Sequence, residues 1–209
     1  MKIGIVGAGM IGGTVGKLWH EAGHEVYFGT RHPEAVRKLA GQLGTRAHAV
    51  SPLEAAQSGD VMLLAVPLVA VPEVGRAISA AVIGKVVLDA CNAYQSRDGD
   101  AAVTATKDPS GSSGWVAQHL PGAKVVKAFN TVYFKTLASQ SKRGADDGVG
   151  VPLASDDEGA LATARRLVED AGFSPVVVGP LAKGKLFEPG TPVYNTGMRG
   201  SEVARALGL

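Results

Sequence analysis

Lys2-Ile3-Gly4-Ile5-Val6-Gly7-Ala8-Gly9-Met10-Ile11-Gly12 begins with a short β-branched run, passes through G-x-G-x-x-G, and enters a helical pattern that reaches Ala22 and is closed by Gly23. His24 to Phe28 then reads as a second strand, which completes a βαβ unit. A glycine spacing alone says little, because glycine-rich turns are common. Its position between a strand and a helix gives it meaning. Gly7 suits a tight turn, Gly9 leaves room for a phosphate against the backbone, and Gly12 permits close helix packing. The amides at the helix start would face the phosphates of a dinucleotide.

The pattern continues outward. A weak strand at Arg46 to Val50 leads into Ser51-Pro52-Leu53-Glu54, a capping box with proline at the first helical position, and a helix to about Gln57. Asp60 to Val66 and Lys85 to Asp89 are continuous apolar runs of the kind buried on both faces of a parallel sheet, with a helix near Glu73 to Ala80 between them. Gln95 to Gly114, rich in Asp, Gly, Ser and Thr, reads as a long loop. Beyond it come a short helix at Trp115 to Leu120, a strand at Lys124 to Phe129, a helix at Val132 to Ser139 and a strand at Val149 to Ala154. Ser155-Asp156-Asp157-Glu158 reads as a second capping box, opening a helix to Ala171, followed by a strand at Ser174 to Val178 and an irregular tail. The expected fold is α/β, a Rossmann-type doubly wound and mostly parallel sheet. Residues 1–120 form the nucleotide-binding unit, and residues 121–209 form a smaller C-terminal lobe that continues the sheet as part of one compact unit.

Composition narrows the function classes. Of 209 residues, 45% are hydrophobic and 19% charged, which argues for a packed globular chain. Twenty-one basic against 19 acidic residues leave a formal charge of +2 with no basic cluster, so neither nucleic acid nor an anionic membrane is an expected partner. The longest apolar run, Val61 to Val71, is interrupted by Pro67 and falls short of the roughly 18 residues of a membrane span. No signal-peptide pattern is read at the start, and a single cysteine, Cys91, fits a reducing compartment. The expected location is the cytoplasm.

An NAD site usually places Asp or Glu at the end of the second strand, about 20 residues after the glycines, to hold the ribose hydroxyls. This chain has Gly29-Thr30-Arg31-His32 there. Thr30 supplies a hydroxyl and Arg31 a charge-assisted donor, which suits a 2′-phosphate, and His32 is a further candidate contact. NADP is therefore expected over NAD. Ligands of such sheets lie beyond the carboxyl ends of the strands, which brings in Ala65-Val66-Pro67, Ala90-Cys91-Asn92 and Ala128-Phe129-Asn130-Thr131. The nucleotide set is Gly7, Ala8, Gly9, Met10, Ile11, Thr30, Arg31, His32, Ala65, Val66, Pro67, Cys91, Asn92 and Ala128; Phe129, Asn130 and Thr131 would face a second substrate. Cys91 reads better as a small buried apolar residue than as a reactive thiol, since no partner histidine is evident. His20, His24 and His48 lack metal-ligand spacing, and Asp156-Asp157-Glu158 suits a helix N-terminus better than a cation, so no metal is expected. Lys127 is either a proton donor or points away from Asn130.

Taken together, these residues resemble the coenzyme F420-dependent NADP oxidoreductase family. The resemblance runs through the glycine turn and Thr30-Arg31, then Asp89-Ala90-Cys91-Asn92 with Arg97-Asp98-Gly99. It continues through Leu120-Pro121-Gly122-Ala123-Lys124-Val125-Val126-Lys127-Ala128-Phe129-Asn130-Thr131-Val132, Ala171-Gly172-Phe173, and Val178-Gly179-Pro180-Leu181. The segment Phe187-Glu188-Pro189-Gly190-Thr191-Pro192-Val193-Tyr194 is similar to bacterial relatives. The resemblance implies direct hydride transfer between NADPH and the ring of a 5-deazaflavin, with no dedicated catalytic acid or base, in a homodimer. The nucleotide-binding unit also resembles the cytosolic domain of metalloreductases that pass hydride to a flavin, so FMN or FAD stands beside coenzyme F420 as second substrate. Two other readings stay open: a reductase of a small imine or carbonyl, which would need a proton donor, and an NADPH-binding sensor without turnover.

Overall fold

A computed structural model describes residues 1–141 and 147–209. The apolar runs become an eight-stranded sheet. The first half contains β1 (Lys2–Val6), α1 (Met10–Glu21), β2 (Glu25–Gly29), α2 (Pro33–Leu43), β3 (Ala47–Val50), α3 (Pro52–Ser58), β4 (Val61–Leu64), α4 (Val71–Val82) and β5 (Val86–Asp89). The second half contains α5 (Gln95–Asp98), α6 (Asp100–Lys107), α7 (Gly111–His119), β6 (Lys124–Lys127), α8 (Phe134–Ser139), β7 (Gly150–Ala154), α9 (Glu158–Asp170), β8 (Ser174–Gly179) and α10 (Gly200–Ala206). Strand order is β3-β2-β1-β4-β5-β6-β7-β8, with a switch point between β1 and β4, where the crossovers change sides. All neighbours are parallel except β6 and β7.

Each face of the sheet is covered. On one side α1 and α9 pack on Ile3, Ile5, Val26, Leu63, Leu88 and Val126; on the other α3, α4 and α7 cover Val6, Met62, Leu64 and Val87. Trp19, with no exposed surface, ties α1 to α9 by donating its indole N–H to the Leu167 carbonyl at 2.7 Å. The first core cluster takes residues from both sides of position 120, from Ile3 to Phe173. A smaller third cluster seats α10 and the tail on β7 and β8 through Val176, Val178, Phe187 and Val203.

The capping box at Ser51 forms as expected: its hydroxyl accepts from the Glu54 amide and Glu54 returns the bond to the Ser51 amide. Three expectations are corrected, and one helix is added. Gln95 to Gly114 is not a long loop but three short helices, hinged at Gly99 and Gly111, because its polar residues cap and turn while Ala101, Ala102, Ala105 and their neighbours support helix. The α9 cap is Asp157, whose carboxylate accepts from the Ala160 amide at 2.8 Å. Ser155 instead donates its hydroxyl to the Val125 carbonyl. The tail is not wholly irregular, since it holds a 3-10 segment at Leu181–Phe187 and α10. The helix at 33–43, opened by Pro33, has no counterpart in the sequence reading. Among the described residues, no helix is long and apolar enough to cross a membrane, and no group of three potential metal ligands is present.

Candidate functional site

The glycine turn sits at the carboxyl end of β1. Gly7 has φ of 99°, a conformation costly for any residue with a Cβ, and a Cβ there would stand 2.4 Å from the Ala65 carbonyl oxygen. A Cβ on Gly12 would meet the Gly7 carbonyl at 2.2 Å, so α1 starts against the turn. Gly9 is the N-cap of α1 and offers no side chain, and the first turn of the helix holds no acidic residue. The first amides of α1 therefore lack a side-chain acceptor, and a Cβ built on Gly9 would meet open space.

In front of that turn lies a cavity of about 740 Å³. One wall is Gly9, Met10 and Ile11, continued by Ala65, Val66, Pro67 and Ala90 from the ends of β4 and β5. The opposite wall is Asn92, Phe129 and Asn130 with Tyr94, Arg97, Val132, Tyr133, Phe134, Tyr194 and Asn195. The structure thus gathers nine of the expected residues: Gly9, Met10, Ile11, Ala65, Val66, Pro67, Asn92, Phe129 and Asn130. Ala8 lines an adjoining groove along α1 instead, and Cys91, Ala128 and Thr131 are buried outside the cavity lining. Gly7 is also outside it, its amide donating to the Gly29 carbonyl.

Thr30, Arg31 and His32 stand apart from the cavity, at the end of β2. The Thr30 hydroxyl accepts from the His32 amide at 3.2 Å. Arg31 reaches Glu73 at the start of α4 at 3.8 Å, but both side chains are about two-thirds exposed, so the pair is a loose one. His32 makes a comparable contact with Glu34 at 3.5 Å.

A polar network fixes the far wall. Asn92 Nδ2 donates to the Asn130 carbonyl at 2.9 Å and to the Tyr194 hydroxyl at 3.2 Å. Asn130 Nδ2 donates to Asn92 Oδ1 at 3.2 Å and to the Phe187 carbonyl at 2.9 Å. These bonds set the orientation of both amides and leave Asn130 Oδ1, which is buried, without a partner among the described residues. The tail is carried here by the Asn195 amide, which donates to the Thr131 carbonyl at 2.7 Å. Phe129, two residues past the end of β6, adopts φ of 60° and packs edge-on against Trp19 with ring centres 5.7 Å apart. A bulky residue in that conformation is strained and held by its surroundings.

Behind the wall, Lys127 is fully buried and faces away from the cavity. Its ammonium donates to Ser112 and Ser113 hydroxyls at 2.8 and 3.1 Å, and lies 3.7 Å from Asp89 and 3.8 Å from Glu188. Glu188 also accepts from the Ser112 amide and hydroxyl, so this cluster staples the tail to the sheet. Of the two sequence readings for Lys127, the structure supports the one that points it away. Cys91 is buried too, and burial, with the carboxylate of Asp89 beside it, pushes its thiol well above the ordinary range. It is not a nucleophile in this setting.

Tyr94, Arg97, Tyr133, Tyr194 and Asn195 were absent from the sequence-derived site. Tyr94 and Tyr133 follow segments already marked as strand ends, which was a usable signal. Tyr194 was marked only by the resemblance of its segment to bacterial relatives, because it arrives from a tail whose path depends on bonds to Asn130, Thr131 and Ser112.

Comparison with known proteins agrees with this architecture. A family model described as NADP oxidoreductase, coenzyme F420-dependent, matches residues 2–93. The F420-dependent NADP reductase of Methanothermobacter thermautotrophicus is 30% identical over 205 residues, covering 92% of this chain and 87% of that protein. A hypothetical protein from Sinorhizobium meliloti shares the structure with a TM-score of 0.75 and 27% identity, over 95% of this chain and 94% of the other. A protein from Arthrobacter sp. FB24, provisionally named an F420-dependent NADP-reductase, shares the fold with a TM-score of 0.70 and 22% identity over 88% of each chain. With the β1 turn, the strand order and a relative alike over nearly its full length, this chain belongs to the coenzyme F420-dependent NADP oxidoreductases, a family of NADP-dependent oxidoreductases.

Proposed function

We propose that the protein transfers hydride between NADP(H) and the flat ring of coenzyme F420, in the cavity between the glycine turn and the Asn92–Asn130 wall. The observation that carries this reading is the pairing, around one cavity, of a helix N-terminus with no capping side chain and Asn130, whose buried Oδ1 has no partner among the described residues. Gly7, Ala8, Gly9, Met10 and Ile11 would hold the pyrophosphate on backbone amides and the helix dipole. Thr30, Arg31 and His32 would hold the 2′-phosphate, with Arg31 exchanging its loose contact to Glu73 for the stronger anion. Ala65, Val66 and Pro67 with Ala90, Asn92 and the buried Cys91 and Ala128 beneath would shape the nicotinamide end, where small side chains leave room for a flat ring. NADPH, when bound, supplies a hydride from its nicotinamide.

The chain's own contribution is placement and exclusion of water. Met10 and Ile11, with Asn130 and the buried Phe129 behind it, would border the space in which two rings lie face to face, and proximity of this kind removes much of the entropic barrier. Thr131, which the sequence reading also assigned to this surface, would act only from behind it, since it is buried outside the lining. A cytoplasmic setting and a homodimer complete the proposal by the same family analogy.

The test is the rate of NADPH oxidation by the purified protein with oxidised coenzyme F420, with FMN and FAD in parallel and NADH as control donor. Turnover with the deazaflavin alone supports the proposal. Turnover with FMN or FAD alone makes the protein a flavin reductase on this scaffold. Tight NADPH binding with no turnover on any of the three overturns ring-to-ring transfer.

A further inference from the structure

Tyr94, the N-cap residue of α5, and Tyr194, from the tail, lie 100 positions apart in sequence and meet hydroxyl to hydroxyl on the cavity wall. The hydrogen count of that meeting is informative. Two phenols carry two O–H hydrogens, and the bond between them uses one. Asn92 cannot take the other, because its Nδ2 already faces the Tyr194 oxygen as a donor, an orientation fixed by the Asn130 carbonyl on which the same nitrogen bonds. No other hydrogen bond from either hydroxyl occurs among the described residues, so one phenolic O–H is left for whatever fills the cavity.

We propose that the Tyr94–Tyr194 pair supplies this O–H to the second substrate, on the ring atom where negative charge collects as the hydride arrives. The inference rests on the ring-to-ring reading above. During transfer a C–H bond of the reduced nicotinamide breaks and its electron pair, with the hydrogen, forms a C–H bond on the acceptor ring. The nicotinamide is oxidised by two electrons and the ring reduced by two. The ring's conjugated carbonyl or nitrogen gains the charge, and a proton from water neutralises it afterwards. A donor already in place stabilises that charge more than it stabilises the neutral oxidised ring, which is the condition for accelerating the step.

Three neighbouring features fit this role. Burial and the bond to Tyr94 raise the Tyr194 phenol far above its ordinary range, so it stays a donor across neutral pH. The Arg97 guanidinium lies over the Tyr94 ring, 4.9 Å from its centre, donates to the Asn92 carbonyl at 2.8 Å and is paired with the buried Asp98 carboxylate at 2.8 Å, which holds the Tyr94 ring in place beside Asn92. Asn130, whose buried Oδ1 has no hydrogen-bond partner among the described residues, belongs to the same network, so an acceptor lies in the wall that carries the donor. A ring edge with a carbonyl next to an N–H complements that pairing, as in the dione ring of a deazaflavin or flavin.

The experiment compares wild type with Tyr94→Phe, Tyr194→Phe and the double variant, each checked for an unchanged thermal midpoint. Three quantities are read: the Kd for NADPH by fluorescence, the Kd for oxidised coenzyme F420 in the presence of NADP⁺, and kcat at saturating concentrations of both substrates. The double variant is expected to keep the NADPH Kd within about twofold, to weaken deazaflavin binding several-fold, and to lose about 10- to 100-fold in kcat. The single variant with the larger loss identifies the hydroxyl bearing the spare hydrogen. If the double variant does not fold, the two single variants carry the test together, and the proposal falls if neither loses deazaflavin affinity or kcat. An active wild type with an unchanged double variant overturns the proposal, as does weakening confined to NADPH, which would assign the O–H to the nicotinamide carboxamide. A wild type that neither binds nor reduces the deazaflavin fails the functional reading itself.

Discussion

On the proposed reading, Arg31 is the residue on which cofactor choice turns. At the end of β2, where an acid would hold ribose hydroxyls, the chain places an exposed guanidinium against Glu73 at 3.8 Å, a contact weak enough to be exchanged. Arg31→Ala should weaken NADPH binding by about 10- to 100-fold, the loss of one charge-assisted contact of roughly 1.5–3 kcal/mol, and leave NADH binding nearly unchanged. Fluorescence titration with the two nucleotides checks it; equal Kd values for NADPH before and after substitution would remove Arg31 from the site. The place of Arg31 just past the end of β2 was legible because that position is local, fixed by its distance from the glycines. The Asn92–Asn130 wall was legible as strand ends, but not as a network: that Asn130 Oδ1 is spare while its Nδ2 is spent follows only once the tail has brought Phe187 and Tyr194 against it.

Elements were readable where periodicity and burial agree. The apolar runs of β1, β4 and β5 are buried nearly throughout, and the Ser51 box caps α3 as its spacing demands. Between 95 and 114 the signal failed because α5, α6 and α7 are four, eight and nine residues long, too short for an apolar stripe to emerge among Ser, Thr, Gly and Asp. Helix α1 shows how an element positions the site from a distance. Its glycine-rich N-terminus faces the cavity while Trp19, near its other end, is bonded to α9 and stacked edge-on to Phe129. Trp19→Phe removes the bond to the Leu167 carbonyl and part of the buried indole volume, and should lower stability by about 1–3 kcal/mol by urea unfolding. A drop of less than about 0.5 kcal/mol would mean that α9 is held to α1 by apolar packing alone.

At the scale of the molecule, the sheet joins two strand groups through the antiparallel β6–β7 pairing, and the α1–β2 corner is joined to α9 by a buried histidine. His24 is 5% exposed, with Nε2 3.0 Å from Asp170 and Nδ1 3.4 Å from the terminal amine. Burial lowers its proton affinity more than the bond to Asp170 restores it, and Arg166 and the terminal amine act in the same direction as burial. His20, near Arg46, is lowered too, again chiefly by burial. A histidine that binds its proton less readily when folded favours the folded state while neutral. Its contribution is complete above the ordinary histidine value of about 6.5 and declines as pH falls through that value toward the lower one of the folded state. Carboxylates held low in the fold give way further into acid. Asp98 is among them: burial raises it, but Arg97 and the amides of Tyr94 and Val69 outweigh that. Asp157, lowered by its bond to Lys124 and by the Ala160 amide, is another. Urea midpoints should therefore be level between about pH 7.5 and 8.5, then fall by pH 5.5, before the carboxylates titrate. His24→Gln should flatten the part of that fall that His24 causes, leaving a smaller slope from His20. An identical slope in wild type and variant would show that the His24–Asp170 contact is indifferent to protonation, and that acid acts on this fold through its carboxylates first.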